Sequence, residues 1–261
     1  MHSPQSTSSR PLLLPNDFRQ RLDPLVCAER MDGPCSPEDL AACLRDLARI
    51  NRLSLSYRPT LGFLEAAARK NRTEVLRIVD IGSGFGDTLR QIHRWAARRR
   101  IRVRLTGIDL HPHSAAAARA QTAREGLPPD AITWITGDAY TLPASPAPDV
   151  ILSSLLTHHL TNPEIVRFLR WMEATARLGW FINDLERQPT PARLFSLLAR
   201  ALRWHPFVQH DGPLSFRRAF RAADWTALLA QTGIPATAAQ IQPSFPARLC
   251  VSRLRAEPLS R

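Results

Sequence analysis

The sequence predicts an α/β domain with a doubly wound, mainly parallel sheet, and three observations lead there. Short apolar runs alternate with helix-patterned stretches between about residues 76 and 184, the arrangement of βαβ units. A glycine-rich turn, "VDIGSGFGD" at 79–87, directly follows the start of the first run, where a strand passes into a helix. Near the C-terminus, "ATAAQIQPS" and "ARLCVSRLRA" are separated by proline and read as a closing hairpin. The chain has 261 residues, 44% of them hydrophobic, which suffices for one sizeable core.

The first fifteen residues, rich in Ser, Pro and Gln, are expected to form a mobile tail. In "SPEDLAACLRDLARINRL", Ser36 can cap a helix, Pro37 takes its first position and acids fill the first turn. Leu40, Cys43, Leu44, Leu47 and Ile50 then share one face. A second helix is expected through "RPTLGFLEAAARK". Residues 1–72 thus read as tail and helical cap, and 73–261 as the α/β domain. Its strands are expected in "LRIVDIG" (76–82), "RVRLTGIDL" (102–110), "ITWITGD" (132–138), "DVILSSLL" (149–156) and "LGWFIND" (178–184). Helices are expected in "TLRQIHRWAARRR", with Asp87 as cap, "SAAAARAQTARE" and "NPEIVRFLRWMEATAR". An insertion over about 187–232 is expected to lie as a helical lid above the carboxyl ends of the strands. Within it, Asp211-Gly212-Pro213 reads as a turn.

Composition excludes more than it selects. The formal charge of +12 invites a nucleic-acid reading, but Lys70 is the only lysine and the arginines are scattered, with one tight run at Arg98-Arg99-Arg100. Nucleic acid is therefore disfavoured as a partner. Cys27, Cys35, Cys43 and Cys250 have neither C-x-x-C spacing nor a nearby histidine pair, so no metal is expected. No run approaches a membrane span. A cytoplasmic protein is expected.

Three ligands compete for the glycine turn. A phosphate-binding loop requires a lysine after the glycines, and none follows. A dinucleotide fingerprint fails because the spacing is Gly82, Gly84, Gly86, and a carboxylate at Asp80 repels a pyrophosphate. That carboxylate suits a cationic ligand. S-adenosylmethionine carries an α-ammonium and a sulfonium and has no phosphate. Asp80 can face the ammonium, and the glycines let the main chain approach the ligand. Asp109 and Asp138 end the next two expected strands, suited to ribose hydroxyls and an adenine amino group.

With "VDIGSGFGD", "TGIDLHPHSAAAAR", "ITWITGDAYTLP" and "PDVILSSLLTHHL" in this order, the chain resembles the class I S-adenosylmethionine-dependent methyltransferases. Within them, "MDGP", "LRDLARINRL", "YRPTLGFL", "HHL", "FINDLER", "HDGPLSFRRAF" and "ADWTALLAQTGI" look like the quinone- and polyketide-pathway small-molecule type. The resemblance implies a Rossmann-like seven-stranded sheet with its last strand antiparallel. It also assigns Asp80, Gly82, Gly84 and Gly86 to the methionyl side, Asp109 and Leu110 to ribose and adenine, and Asp138 and Ala139 to adenine. Ser153, near the end of the fourth strand, joins the expected cofactor set. One departure is "INRLSLSYR", where a glycine-containing turn is expected before Tyr57-Arg58.

Methyl transfer requires alignment and exclusion of water, and an oxygen acceptor also requires a base. His158 and His159, at the end of the fourth strand, are the candidates, His158 being preferred, with helix capping or packing as the alternative. Asp184 and Asn183 end the fifth strand, to orient a histidine or the acceptor, or to cap the next helix. Tyr57, Arg58, Asn183, His205 and His210 are the candidate acceptor contacts. The [DNS]-P-P-[YFW] loop of exocyclic-amine methylation and the cysteine of cytosine C5 chemistry are both absent here. The expected activity is O-methylation of a phenolic, quinone-like or polyketide-derived small molecule. C- or N-methylation, or a catalytically silent cofactor-binding partner, are the alternatives, and a homodimer is kept open.

Overall fold

A computed structural model describes residues 17–259, apart from 72, 143–145 and 236. The tail expected over the first fifteen residues lies outside them. Seven strands form one sheet: β1 (Leu76–Ile81), β2 (Val103–Asp109), β3 (Thr133–Thr136), β4 (Val150–Ser154), β5 (Gly179–Leu185), β6 (Gln240–Ser244) and β7 (Arg248–Leu254). Their order is β3-β2-β1-β4-β5-β7-β6. β1 to β5 are parallel, while β7 runs antiparallel to both β5 and β6. Strand order reverses between β2-β1 and β4, which opens a crevice at the carboxyl ends of these strands.

β1, β4 and β5 are covered on both faces, which is why each reads as a nearly continuous apolar run. Val79, Ile81, Ile151 and Trp180 pack on Phe168 and Leu169 of α5 (Asn162–Thr175). On the other face Ile78, Leu105, Leu152 and Phe181 meet Leu89 and Ile92 of α3 (Asp87–Arg99). α4 (Ser114–Arg124) completes the helices between the parallel strands.

The cap consists of α1 (Pro37–Leu53) and α2 (Arg58–Lys70). Ser36 accepts the Asp39 N–H at 3.0 Å, so the expected cap of α1 is made. The turn between the helices is made without glycine: Leu55 itself takes the left-handed conformation, φ 55°. Asp87 does not cap its helix. It is the first residue of α3, after Gly86, and its Oδ2 accepts from the Tyr57 hydroxyl (2.6 Å) and Asn51 Nδ2 (3.1 Å). These bonds tie the cap to the glycine turn.

The insertion holds α6 (Pro189–Ala201), α7 (Pro206–Arg218) and α8 (Ala222–Ala230). Asp211-Gly212-Pro213 is not a turn but lies inside α7. Packing outweighs the local signal. The Asp211 carboxylate accepts the N–H groups of Arg30 (2.9 Å) and Met31 (3.1 Å). Phe195 lies so close to Gly212 that any Cβ there would collide with its ring.

Candidate active site

A cleft of about 540 Å³ lies at the carboxyl ends of β1, β2 and β4. The cap supplies its outer wall through Leu40, Leu44 and Leu47 of α1, with Met31 beside them. No residue of the 187–232 insertion lines it. The expected lid instead packs its own aromatic centre, Phe195 with Trp204 and Phe216.

Asp80 supplies the strongest electrostatic feature of the cleft. Its carboxyl is 2% exposed, and Oδ1 has no hydrogen-bond partner. Burial, then the nearby charges of Asp87 and Asp109, push its pKa up to about 8. A cation presented from the cleft would offset both effects. Asp109 is committed differently: its two oxygens accept the N–H groups of Gly84 (2.7 Å) and His111 (2.8 Å). That fixes the glycine turn against the end of β2. Asp138 accepts the Tyr140 N–H at 2.9 Å, and Leu110, half-open Asp109 and Ala139 line the same wall.

Of the expected cofactor set, Asp80, Gly82, Gly84, Asp109, Leu110, Asp138 and Ala139 line the cleft, and Gly86 and Ser153 do not. Ser153 is buried in β4, and its neighbours Ser154 and Leu155 take the lining positions. Gly86 serves packing. Its φ is 71°, and an added Cβ would fall 2.0 Å from the Trp134 ring. Gly86→Ala is therefore expected to lower stability by about 2–3 kcal/mol, combining left-handed strain with a displaced indole. Urea denaturation would measure it, and a midpoint equal to that of the parent chain would mean the ring moves aside freely.

The histidine pair divides into two roles. The structure places His159, not the preferred His158, on the cleft. His158 is 2% exposed, with Nδ1 2.7 Å from Asp184 Oδ1. Asp184 Oδ2 accepts the His158 N–H (3.0 Å) and the Thr157 hydroxyl (2.5 Å), and Oδ1 accepts the Leu185 N–H (2.7 Å). Burial opposes the Asp184 carboxylate, but His158, Thr157 and the Leu185 N–H outweigh it and hold its pKa below the usual carboxylate range. The rings of His158 and His159 are 4.3 Å apart. Sequence reasoning missed the third member, Glu29. Its carboxylate is buried, with Oε1 3.6 Å from His158 Nε2 and Oε2 3.6 Å from His159 Nε2. Ser215 donates to Oε1 at 2.7 Å, and Arg218 Nη1 stands 3.2 Å from the same oxygen.

None of the five expected acceptor contacts lines the cleft. Tyr57 donates to Asp87, and burial, together with that carboxylate, pushes its phenol far above the ordinary range. Arg58 opens α2 at the surface. Asn183 is buried, donating to the Ser56 carbonyl at 2.8 Å. His205 accepts the Phe207 N–H as the N-cap of α7, and His210 pairs with Asp211 at 2.7 Å. Tyr57, Asn183, His205 and His210 are thus each engaged by other groups of the chain.

Residues 78–179 match the family described as a methyltransferase domain. No curated protein matches the chain. Among solved structures, the chain is similar to human N-acetylserotonin methyltransferase in complex with SAM, at 13% identity and TM-score 0.59, covering 84% of this chain and 56% of that one. It is similar to the plantazolicin methyltransferase BpumL in complex with SAH, at 15% identity and TM-score 0.57, covering 84% and 95%. A third likeness is to the citrinin polyketide synthase CMeT domain, at 20% identity and TM-score 0.50, covering 72% and 48%. The chain thus spans about half the length of the human and citrinin proteins it matches. The shared feature is the Rossmann-like, seven-stranded class I methyltransferase fold.

Proposed function

We propose that this chain, which has the class I methyltransferase fold, uses S-adenosylmethionine to O-methylate a phenolic, quinone-like or polyketide-derived small molecule. One observation carries the reading: a buried carboxyl that needs a cation, Asp80, and a histidine, His159, share a single cleft. Asp80 would hold the ammonium group, Gly82 and Gly84 would admit the methionyl part, and Asp109, Leu110, Asp138 and Ala139 would hold the nucleoside. When bound, the cofactor supplies an electrophilic methyl group. The chain's own work is alignment and desolvation. Leu40, Leu44 and Leu47 of the cap shield the cleft from water. Residues 1–72 would then act as tail and cap on a catalytic domain of 73–261.

His159 is the group on the cleft suited to accept a proton from a phenolic hydroxyl. The positive charge it would gain faces Glu29 Oε2, 3.6 Å from Nε2. His158 is a positioning residue, held by Asp184 and packed against the His159 ring at a tilt of 37°. We expect His159→Ala to lower kcat by roughly a hundredfold or more while leaving the affinity for S-adenosylhomocysteine unchanged. Full turnover would reduce the histidine to packing and leave alignment as the catalytic device.

The reading also takes the protein to be cytoplasmic and its acceptor to be a small molecule rather than nucleic acid. No helix among the described residues is long and apolar enough to cross a membrane. Incubation with S-adenosylmethionine and a panel of phenols, quinols and polyketide lactones, followed by NMR of any product, tests the proposal. Methyl on oxygen supports it. Methyl on carbon or nitrogen, or cofactor binding with no turnover on any acceptor, speaks for the alternatives.

A further inference from the structure

Glu29 and the two histidines form a cluster of potential ligand atoms beside the cleft. The three side chains come from segments about 130 residues apart, yet one ligand atom from each falls within 4.8 Å of the others. Each histidine Nε2 stands 3.6 Å from a Glu29 oxygen. That is too long for a hydrogen bond. It is close to the edge of a tetrahedron around an ion with bonds of about 2.1 Å, roughly 3.4 Å.

The surrounding groups orient these atoms as outer partners of a metal site do. His158 Nδ1 lies 2.7 Å from Asp184 Oδ1, a buried carboxylate that also accepts from Thr157 and Leu185. With Nδ1 engaged by Asp184, Nε2 of the same ring is the atom that faces Glu29, at 3.6 Å. A ring nitrogen and a carboxylate oxygen thus face each other in a buried place without touching, a gap that a cation between them would bridge. Ser215 and Arg218 engage Glu29 Oε1 and leave Oε2 for coordination. Glu29 and Asp184 place two carboxylates around the pair; Arg218 is in direct contact with Glu29, and Arg21 and Arg248 act on Asp184. Access runs from the cleft, since His159 lines it and its side chain is 19% exposed.

We propose that Glu29, His158 and His159 form a divalent transition-metal site, of the two-histidine, one-carboxylate type that suits zinc. Binding of the ion is independent of the methyl-transfer reading. Its consequence for turnover rests on that reading. Coordination at Nε2 takes the lone pair with which His159 would accept a proton, so the loaded and base-competent forms exclude each other.

The test uses the chain stripped with EDTA and titrated with zinc chloride against a chromophoric chelator. The expected result is one zinc per chain, weakened at least tenfold in Glu29→Gln and in His159→Ala. His210→Ala, at the surface, should bind zinc as the parent does. S-adenosylhomocysteine binding by each variant shows that it is folded. Absence of stoichiometric zinc, or equal affinity in Glu29→Gln and His159→Ala, overturns the site. Turnover on an accepted substrate should fall as zinc saturates the chain and return with EDTA; unchanged or higher turnover overturns the exclusion. Because zinc binding is read without turnover, failure of the metal site is distinguishable from failure of the methyltransferase reading.

Discussion

Asp80→Asn is expected to weaken S-adenosylhomocysteine binding by roughly thirtyfold or more, about 2 kcal/mol, by removing the charge opposite the ligand's ammonium. The pH dependence makes the prediction specific. The carboxyl pKa is raised from 3.8 to about 8 in the free protein, first by burial and then by Asp87 and Asp109. Between these values the folded chain holds a proton that the unfolded chain has lost. Stability from this group is therefore greatest at low pH and falls as pH rises from about 4 to about 8. An ammonium ligand needs the ionised form, so its binding near pH 6.5 should expel close to one proton, and affinity should climb with pH until about 8. Calorimetry in two buffers of different ionisation enthalpy measures that proton. Asp80→Asn should release none and should lose the fall in stability with pH. Proton-neutral binding to the parent chain would place the ammonium elsewhere.

Asp184→Ala is expected to cost about 3–5 kcal/mol, because it strands His158 and the Thr157 hydroxyl in a buried site. For a chain of this size the melting temperature should fall by roughly 6–20 °C. The Asp184 carboxylate accepts from four groups: the Thr157 hydroxyl, the His158 ring and N–H, and the Leu185 N–H. Its folded pKa lies below the unfolded value, so its contribution is present above the ordinary carboxylate range and disappears as pH falls through and below it. Urea denaturation at neutral pH and in acid should show the parent and Asp184→Ala converging as acidity increases. A difference under about 1 kcal/mol at neutral pH would mean that the turn after β4 is held by packing alone.

The parts of the fold that were legible in the sequence are those written locally. The apolar runs of β1, β4 and β5 announce strands buried on both faces. Ser36, Pro37 and the acids after them announce α1. Asp211-Gly212-Pro213 misled because its turn chemistry is overridden by distant partners, the N–H groups of Arg30 and Met31 and the ring of Phe195. Gly86 misled in a different way. Its spacing belongs to the ligand turn, but its missing Cβ makes room for Trp134 of β3.

By itself, the sequence determined the sheet, the glycine turn at its switch point and the three acids at successive strand ends. Strand periodicity and turn chemistry act over a few residues, so they survive in a one-dimensional pattern. Tertiary structure alone decided which histidine meets the cleft, that α1 rather than the insertion walls it, and that Glu29 closes on the pair from behind. The bonds of Asp184 to His158 span 26 residues, and that of Ser215 to Glu29 spans 186. No local signal encodes partners so far apart, because they are chosen by how the cap, the sheet and α7 pack together.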